Sequence, residues 1–305
     1  MSWQDLPEKA REVACLLSLF AVASIPWELV QECFEEDEEE LEDVRDRILV
    51  KLSLLQRLEA GWFQLHPLLQ RFMGDKLEES EMAKAEKQKY CRVMVKVAQQ
   101  MPQTPTLEQV EEFAVFIPHL DAVTQHLCDW IEDDDLIWPF AGIAFYYEGQ
   151  GLYSQAEPYS KQCLLVVRDR FGEEHLHVAT SLNNLALLYG SQGRYEEAEP
   201  LYLQALELSQ KLLGEEHPDV ATSLNNLALL YHSQGRYEKA EPLYLQAVEI
   251  LMSRLGVEHP HSQTVSLNFW TCLQSAVSAG QRDIFSNHPF TQQLLAQIDA
   301  ANEKE

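Results

Sequence analysis

Two consecutive blocks of this chain are almost the same sequence. Residues 181–222 and 223–264 agree at 30 of 42 positions without a gap, and residues 139–180 share 17 positions with 181–222. Self-similarity at a fixed period of this size predicts a stacked array, in which each unit buries its apolar face against the next. Arrays of this kind usually present binding surfaces, so the repeat favours a binding protein over an enzyme.

Each block predicts a pair of helices. The first helix has apolar residues at i, i+3, i+4 and i+7, the spacing of one helix face. In the second block these residues are Leu182, Leu185, Ala186 and Tyr189. Gly193 predicts the end of that helix, and a second helix follows from Tyr195 to Gly214. Pro200 lies inside the second helix, where we expect it to remove one backbone hydrogen bond and bend the axis.

This pattern resembles the tetratricopeptide repeat, in the 42-residue form found in kinesin light chains. The matching residues of one block are Leu185, Ala186, Tyr189, Gly193, Tyr195, Ala198, Tyr202 and Ala205. The resemblance implies a right-handed α-solenoid of three repeats, 139–180, 181–222 and 223–264. A fourth unit begins at 265–280, slipped by one residue, and we expect it to form a degenerate cap with residues 290–302.

The resemblance also implies that the first helices line a concave groove, which binds a protein or peptide. Away from their apolar face these helices carry Asn183, Asn184, Leu187, Asn225, Asn226 and Leu229. Carboxamides both donate and accept hydrogen bonds, so they can hold the backbone of an extended peptide. Alternatively, they bond neighbouring helices or keep an exposed face soluble. In the first repeat, Ala141, Phe145 and Gly149 predict an apolar end of the groove.

Histidines also recur at the repeat period, as His175, His217 and His259. A metal site needs ligands that converge, and histidines on successive units of an array do not converge. We therefore predict that they are turn and capping residues, and that the chain has no metal site. The sequence indicates no other cofactor.

The N-terminal block, residues 8–78, has no repeat. Its apolar periodicity predicts a first helix that buries Leu16 and Phe20, a short second helix from Pro26-Trp27, and a third helix over 41–55. A hairpin is expected over 55–65, and a last helix follows it. The acidic run from Glu35 to Glu40 predicts a solvated loop and a helix start.

Helices followed by a small hairpin indicate a winged helix. The segments LLSLFAVASIPWELV and LVKLSLLQRLEAGWFQLHPLLQRF resemble the winged-helix domain of NB-ARC-type STAND ATPases, which are signalling switches. In many of these proteins a nucleotide-binding domain, this winged helix and a repeat array follow in that order. The resemblance implies that His66 matches a histidine that contacts bound ADP, and we expect a bacterial signal-transduction protein.

The chain departs from those switches at one essential motif. No GxxxxGK[ST] phosphate-binding loop occurs in its 305 residues, so we expect this chain alone neither to bind ADP tightly nor to hydrolyse ATP. His66 would sense nucleotide only beside a nucleotide-binding domain, in the same longer polypeptide or in a separate chain. Alone, we expect His66 to be buried and neutral. No HExxH or GxSxG motif is present, which predicts a protein that is not an enzyme.

Charge narrows the range of partners. The chain has 23 Lys and Arg against 49 Asp and Glu, a formal charge of −26, which repels nucleic-acid phosphates. We therefore expect no nucleic-acid binding, although the third helix region carries Arg45, Arg47, Lys51 and Arg57. No apolar run is long enough to cross a membrane, and the N-terminus does not resemble a signal peptide. Six scattered cysteines predict reduced core residues of a cytoplasmic protein.

The sequence thus predicts an all-α protein with one small β-hairpin. We expect a winged-helix domain over 1–78, a helical connector over 79–138, three repeats over 139–264, and a degenerate fourth repeat with a capping helix over 265–305. The predicted function is a protein–protein interaction module, the sensor or adaptor part of a STAND-type switch. The alternative is a self-standing scaffold that oligomerises other proteins.

Overall fold

A computed structural model describes residues 3–34 and 38–302 of the chain. The chain divides into two compact units, Met1–Tyr159 and Ser160–Glu305. The first unit contains helices α1 (Glu8–Leu17), α2 (Trp27–Glu32), α3 (Glu38–Asp43), α4 (Pro67–Glu78), α5 (Ala83–Gln99), α6 (Leu107–Phe113), α7 (Ile117–His126) and α8 (Trp138–Gly149). Helix α9 (Tyr153–Phe171) crosses the boundary between the two units. The second unit continues with α10 (Leu176–Ser191), α11 (Tyr195–Leu213), α12 (Pro218–Ser233), α13 (Tyr237–Arg254), α14 (Pro260–Ser278) and α15 (Pro289–Asn302).

The predicted hairpin is part of a slightly larger sheet. Strands β2 (Leu55–Glu59) and β3 (Trp62–Leu65) form an antiparallel pair, and Gly61 has a positive φ of 79° in the turn between them. The predicted hairpin is present, and a further strand, β1 (Ile25–Pro26), pairs with the other edge of β3. Two residues are too short to show an alternating pattern, so the sequence could not predict this strand.

The helix predicted over 41–55 is shorter and irregular. Helix α3 ends at Asp43, and a π-helical segment, Val44–Val50, continues from it. Leu54 N–H donates to the carbonyl of Leu49, five residues back, and Leu55 already belongs to β2. A π-helical turn inserts one extra residue, so an apolar spacing typical of an α-helix no longer gives the local geometry. In the acidic run, Glu38 to Glu40 begin α3, whereas residues 35–37 lie outside the described residues.

The connector packs closely against the first helix of the first repeat. The predicted break after α5 is present, and α6 begins with a capping box formed by Thr106 and Gln109. Helices α5 and α8 approach so closely that a Cβ on Gly142 would lie 3.1 Å from the Ala98 backbone. A side chain at residue 142 would have to push the two helices apart by a few tenths of an ångström, so glycine favours this close contact.

In the second unit each helix packs against the next, and the first helices of successive repeats also contact one another. Gly193 and Gly235 end α10 and α12 with φ values of 72° and 69°, the left-handed conformation that glycine adopts without strain. Helices α11 and α13 continue through Pro200 and Pro242 without a break. A closing helix of 14 residues, α15, then packs against α14 and covers part of it.

The fourth unit keeps the register of the others, which corrects the predicted slip by one residue. His259 precedes α14 as His217 precedes α12, at the 42-residue spacing. Phe269 is fully buried in α14, at the position that Leu227 occupies in α12. The sequence similarity after Val265 indicates a slip by one residue, but the buried residues and the capping histidine both follow the 42-residue period.

Candidate functional site

A shallow pocket lies between the first helices of the second and third repeats. Its rim carries Leu187 and Ser191 from α10 and Asn226, Leu229 and Ser233 from α12. Tyr202 of α11 is also part of its wall, and the pocket has a volume of about 190 Å³. No Asp, Glu, Lys or Arg side chain lines it. The pocket therefore presents carboxamide, hydroxyl and leucine groups to a ligand, and no fixed charge.

Asn184 and Asn226 occupy equivalent positions, 42 residues apart, and both side chains are partly exposed. Asn184 makes no hydrogen bond with its side chain within the described part of the chain. Asn226 accepts one long hydrogen bond, 3.4 Å, from Asn225 Nδ2, and its own amide N–H groups have no acceptor. The two carboxamides thus keep donors and acceptors available for a ligand.

The neighbouring pair, Asn183 and Asn225, is used inside the array. Asn183 Nδ2 donates to Ser223 Oγ at 3.1 Å, and Asn268 Nδ2 donates to Asn225 Oδ1 at 3.0 Å. Asn225 is only 7% exposed. Its predicted place on the open groove face is therefore wrong, because the next first helix covers it. These two residues fit the alternative given above, in which asparagines bond neighbouring helices.

The predicted apolar end of the groove is closed in the structure. Phe145 is 8% exposed and Ala141 is 7% exposed, within the N-terminal unit. A Cβ on Gly149 would collide with Pro105 and would lie 3.3 Å from Val110. The connector thus covers the face of α8 that we expected to receive a ligand side chain, and Phe145 is a core residue there.

The periodic histidines are helix caps. His175, His217 and His259 each precede a first helix, and Nδ1 of each accepts a hydrogen bond of 3.2 Å from the backbone N–H two residues later. This bond satisfies one of the N–H groups that have no partner within the helix. No group of three or more His, Cys, Asp or Glu residues could hold a metal ion in the part of the chain that the structure describes.

His66 caps α4 in the same way. Its Nδ1 accepts from Leu68 N–H at 3.2 Å, and Pro67 follows it as Pro218 follows His217. The side chain is exposed, so the prediction that His66 is buried was wrong. The cap places the imidazole outside the helix end, beside a cavity of about 590 Å³ that Arg57 and Gln64 also line.

The basic residues near this cavity are largely engaged with acids. Arg45 is 9% exposed and donates to Asp46 and Glu42. The hydrogen bond from Arg45, with a second from Arg57, lowers the pKa of Asp46 to about 2 against the effect of burial. Arg57 therefore shares the same carboxylate and is not a free phosphate ligand.

None of the cysteines whose pKa is shifted has the character of a catalytic thiol. Burial raises the pKa of Cys15 to about 11, and those of Cys91 and Cys272 to about 12. A nucleophilic cysteine needs a lowered pKa, because the thiolate is the reactive form. These thiols are core groups, as the sequence predicted, and all six cysteines are free.

Comparison with known proteins identifies the repeats. The sequence profile of the tetratricopeptide repeat matches residues 136–211 and 179–253. Residues 136–253 therefore match the tetratricopeptide repeat, a fold that serves generally as a scaffold for protein–protein interaction. No curated protein sequence matches the chain.

Two similar structures are of nearly identical TPR-like repeats from a kinesin light chain-type protein of Podosopora anserina. One has 23% identity and a TM-score of 0.51, and covers 74% of this chain and 98% of that one. The other has 24% identity and a TM-score of 0.50, and covers 70% of this chain and 95% of that one. These similarities show the solenoid fold.

A third structure is of a STAND protein with a tetratricopeptide repeat sensor from Pyrococcus horikoshii. It has 13% identity and a TM-score of 0.29, and covers 98% of this chain and 61% of that one. A similarity at that level supports no conclusion about this chain.

Within the described residues, no helix is both long and apolar enough to cross a membrane.

Proposed function

We propose that the repeats bind an extended peptide segment of a partner protein in the pocket between α10 and α12. The observation that carries the proposal is the composition of the pocket: a half-exposed Asn226 with unused N–H groups stands beside Leu187 and Leu229. Asn184, the equivalent residue one repeat earlier, provides a second carboxamide. The ligand is a protein or peptide, as is usual for this kind of repeat.

The two kinds of side chain have different tasks in this proposal. The carboxamides of Asn184 and Asn226 hydrogen-bond to the main chain of the peptide, which every sequence shares. Leu187 and Leu229 contact apolar side chains of the ligand. Because no charged group lines the pocket, the segment bound there is uncharged. The formal charge of −26 favours ligands whose flanking residues are basic.

Two wider roles fit such a module. The first is the sensor or adaptor part of a STAND-type signalling switch in the bacterial cytoplasm. There a nucleotide-binding domain, in the same polypeptide or another chain, would meet the N-terminal unit near His66. Its support is the resemblance of residues 8–78 to the winged helix of those ATPases. The alternative is a self-standing scaffold that oligomerises other proteins. A phosphate-binding loop encoded in frame upstream would favour the switch, and recovery of a separate nucleotide-binding protein in a pull-down would favour the scaffold.

The experiment uses two matched double variants. Peptides selected from a random displayed library against the whole chain are titrated against the wild type, against Asn184→Ala with Asn226→Ala, and against Asn183→Ala with Asn225→Ala. We expect the first variant to lose about 1–3 kcal/mol of binding free energy, roughly 5- to 150-fold in affinity, with little change in melting temperature. The second variant removes the same groups, but from the helix contacts, so its melting temperature should fall.

The proposal fails if the Asn184/Asn226 variant binds the selected peptides as well as the wild type does. It also fails if that variant melts at a lower temperature to the same extent as the Asn183/Asn225 variant. Either result would show that all four asparagines serve the array alone.

A further inference from the structure

Helix α14 is the last of the first helices in the array, and it contains no Asp, Glu, Lys or Arg among its 19 residues. Helices α11 and α13, which are second helices, contain five such residues each. Helices α10 and α12 contain none and one, and each packs against the first helix of the following repeat. Helix α14 therefore has the composition of a first helix inside the array, although no further first helix follows it in the described residues.

The side of each first helix that meets the following repeat includes three positions, spaced i, i+3 and i+7, and we call these positions the stacking face. In α10 they are Asn183, Ala186 and Gly190. Asn183 donates to Ser223 Oγ of α12, and Ala186 is fully buried. A Cβ on Gly190 would lie 3.7 Å from Leu230 Cδ1, which also belongs to α12. The next repeat thus contacts this face directly.

The stacking face of α12 is used in the same way, 42 residues later. Its Asn225 accepts from Asn268 Nδ2 of α14 and is 7% exposed. Ala228 is fully buried, and His232 Nε2 lies 3.2 Å from Ser275 Oγ of α14, within hydrogen-bond distance. Packing against the following first helix is therefore a property of this face in both repeats.

The stacking face of α14 is open. At the same three positions it carries Leu267, Trp270 and Gln274. Leu267 is 63% exposed, Trp270 is partly exposed and Gln274 is exposed. The closing helix α15 packs elsewhere on α14, where the Phe290 ring lies 6.2 Å from that of the buried Phe269. A face that the next repeat contacts in α10 and α12 is thus left exposed in α14.

An apolar face at the end of an array is unfavourable in water. Terminal repeats normally present a polar outer face, which keeps the array soluble. Leu267 and Trp270 lie one turn apart, and α14 supplies no charged side chain around them. Exposed apolar patches mark sites of protein–protein contact. The stacking face of α14 is therefore a candidate interface.

A second copy of the chain fits this face. Each copy has a formal charge of −26, so two copies approach most easily through surfaces without charge. Head-to-tail stacking is prevented at the other end of the array, because the connector covers α8. There a Cβ on Gly149 would collide with Pro105, and Phe145 is 8% exposed. The open face of one copy therefore meets the same face of the other, as in a twofold dimer.

We propose that two copies of the chain form a twofold dimer through the stacking faces of α14. Leu267 and Trp270 of one copy pack against the α14 helix of the other, which takes the place of a further first helix. The Gln274 carboxamides both donate and accept hydrogen bonds, so they can bond across the contact without an unpaired charge. The contact does not involve the peptide pocket and does not depend on the function proposed for it.

Sedimentation velocity of the whole chain, over a hundredfold range of micromolar concentrations, tests the proposal. We expect a concentration-dependent shift from 35.1 kDa, the mass of one chain, to twice that mass. The dimer should become tighter as salt is added, because salt screens the repulsion between two acidic copies. A single species of monomer mass at every concentration, or a dimer that salt dissociates, would overturn the proposal.

Two variants place a charge on the stacking face. Leu267→Glu and Gln274→Glu each bring a carboxylate into a contact that contains the substituted residue twice, where its burial is costly. Leu267→Glu should weaken the dimer at least tenfold, and Gln274→Glu at least threefold. Leu165→Glu is the matched control, since Leu165 is 65% exposed but lies in α9, a second helix. The control should leave the dissociation constant unchanged.

Folding and charge are controlled separately. Both substituted side chains are exposed, so the helical circular dichroism and the melting temperature of the monomer, measured at the lowest concentration, should match the wild type. If Leu267→Glu does not fold, Gln274→Glu decides the question alone. Wild-type affinity in a folded variant of the stacking face would refute the proposed contact. Equal weakening by Leu165→Glu would mean that added charge alone disperses the dimer, and would overturn the assignment to α14.

Discussion

Each of the two units is stabilised internally by a different kind of contact. In the second unit the same contacts recur every 42 residues: for example, His217 and His259 cap successive first helices. In the first unit the decisive contacts occur once. His119 of α7 accepts from Ala21 N–H at 3.1 Å, and its Nε2 bonds to the Ser24 carbonyl at 3.0 Å, across nearly one hundred residues of sequence. A periodic contact can be predicted from a repeat, whereas a contact that occurs once leaves no pattern in the sequence.

At the end of the array, the glutamate at one repeat position has different hydrogen-bond partners from its equivalent in the preceding repeat. Glu199 in α11 accepts from Tyr231 and from Arg236 of the following repeat, and its side chain is 26% exposed. At the same position 42 residues later, Glu241 is 4% exposed. It accepts from the backbone and hydroxyl of Ser286 and from Thr291 Oγ1. Where the fourth repeat is incomplete, this glutamate holds the closing segment instead.

The largest effect is expected from breaking that last contact. Glu241→Gln should cost about 2–3 kcal/mol, because buried hydroxyl and N–H groups lose bonds to a charged acceptor. Glu199→Gln should cost about 0.5–1 kcal/mol, since its ion pair is partly solvated. Urea unfolding of both variants measures the difference. Hydrogen exchange should show lost protection in α15 for Glu241→Gln only, as contacts in an array act between neighbours.

Equal losses in the two variants would contradict this account. They would mean that Glu241 contributes no more at the end of the array than an ordinary ion pair contributes within it. Loss of protection throughout the second unit would instead show that the closing segment stabilises every repeat.

The sequence predicted the array well because its evidence was repeated. Helix ends at Gly193 and Gly235, the capping histidines and the buried tyrosines all recur, so one block supports the interpretation of the next. The finer split within the asparagine pairs was not predictable. Asn183 and Asn184 are adjacent and chemically identical, and only the position of the next helix decides which of them is bonded.

The first unit was predicted less well for the same reason. Strand β1 is formed by pairing with β3, and the π-helical segment Val44–Val50 lies just before β2 in the chain. Neither contact is encoded by local spacing. The face of α8 around Gly149 was misjudged because the residues that cover it, Pro105 and Val110, lie in a segment outside the repeat. Tertiary partners decided each of these positions.

His119 offers a way to sharpen the comparison by pH. Burial lowers its pKa, against the effect of the bond to Ser24, so in the folded state it is neutral and accepts from Ala21. The unfolded chain binds the proton near an ordinary pKa of about 6.5, so stability should fall as the pH drops through that value. Between about pH 7.5 and 5.5 the loss should reach up to about 1.4 kcal/mol.

The measurement compares urea unfolding of the wild type and of His119→Gln at the two pH values. Gln cannot take up a proton, so its pH dependence should be smaller by that amount, while all other groups titrate alike in both proteins. If the two proteins show the same pH dependence, His119 is not the group that links the loop at 21–24 to α7 in its neutral form.

A histidine helix cap occurs in both units, and it allows a direct comparison with the smallest expected change in stability. His66 and His217 each precede a proline and accept from the backbone N–H two residues later, at 3.2 Å in both. If His66 is a cap and nothing more in this chain, His66→Ala and His217→Ala should each cost about 0.5–1 kcal/mol, the usual value for a lost helix cap. Urea unfolding measures both, and replacement by Asn, which can also cap, should restore most of the loss in each. A cost at His66 well above that at His217, or no rescue by Asn at His66 alone, would show that its imidazole has a further task in the N-terminal unit. Titration of the wild type and of His66→Ala with ADP then tests for nucleotide binding. Because the chain has no phosphate-binding loop, we expect no heat change with either protein, which would leave helix capping as the whole contribution of His66. ADP binding that depends on His66 would contradict this prediction.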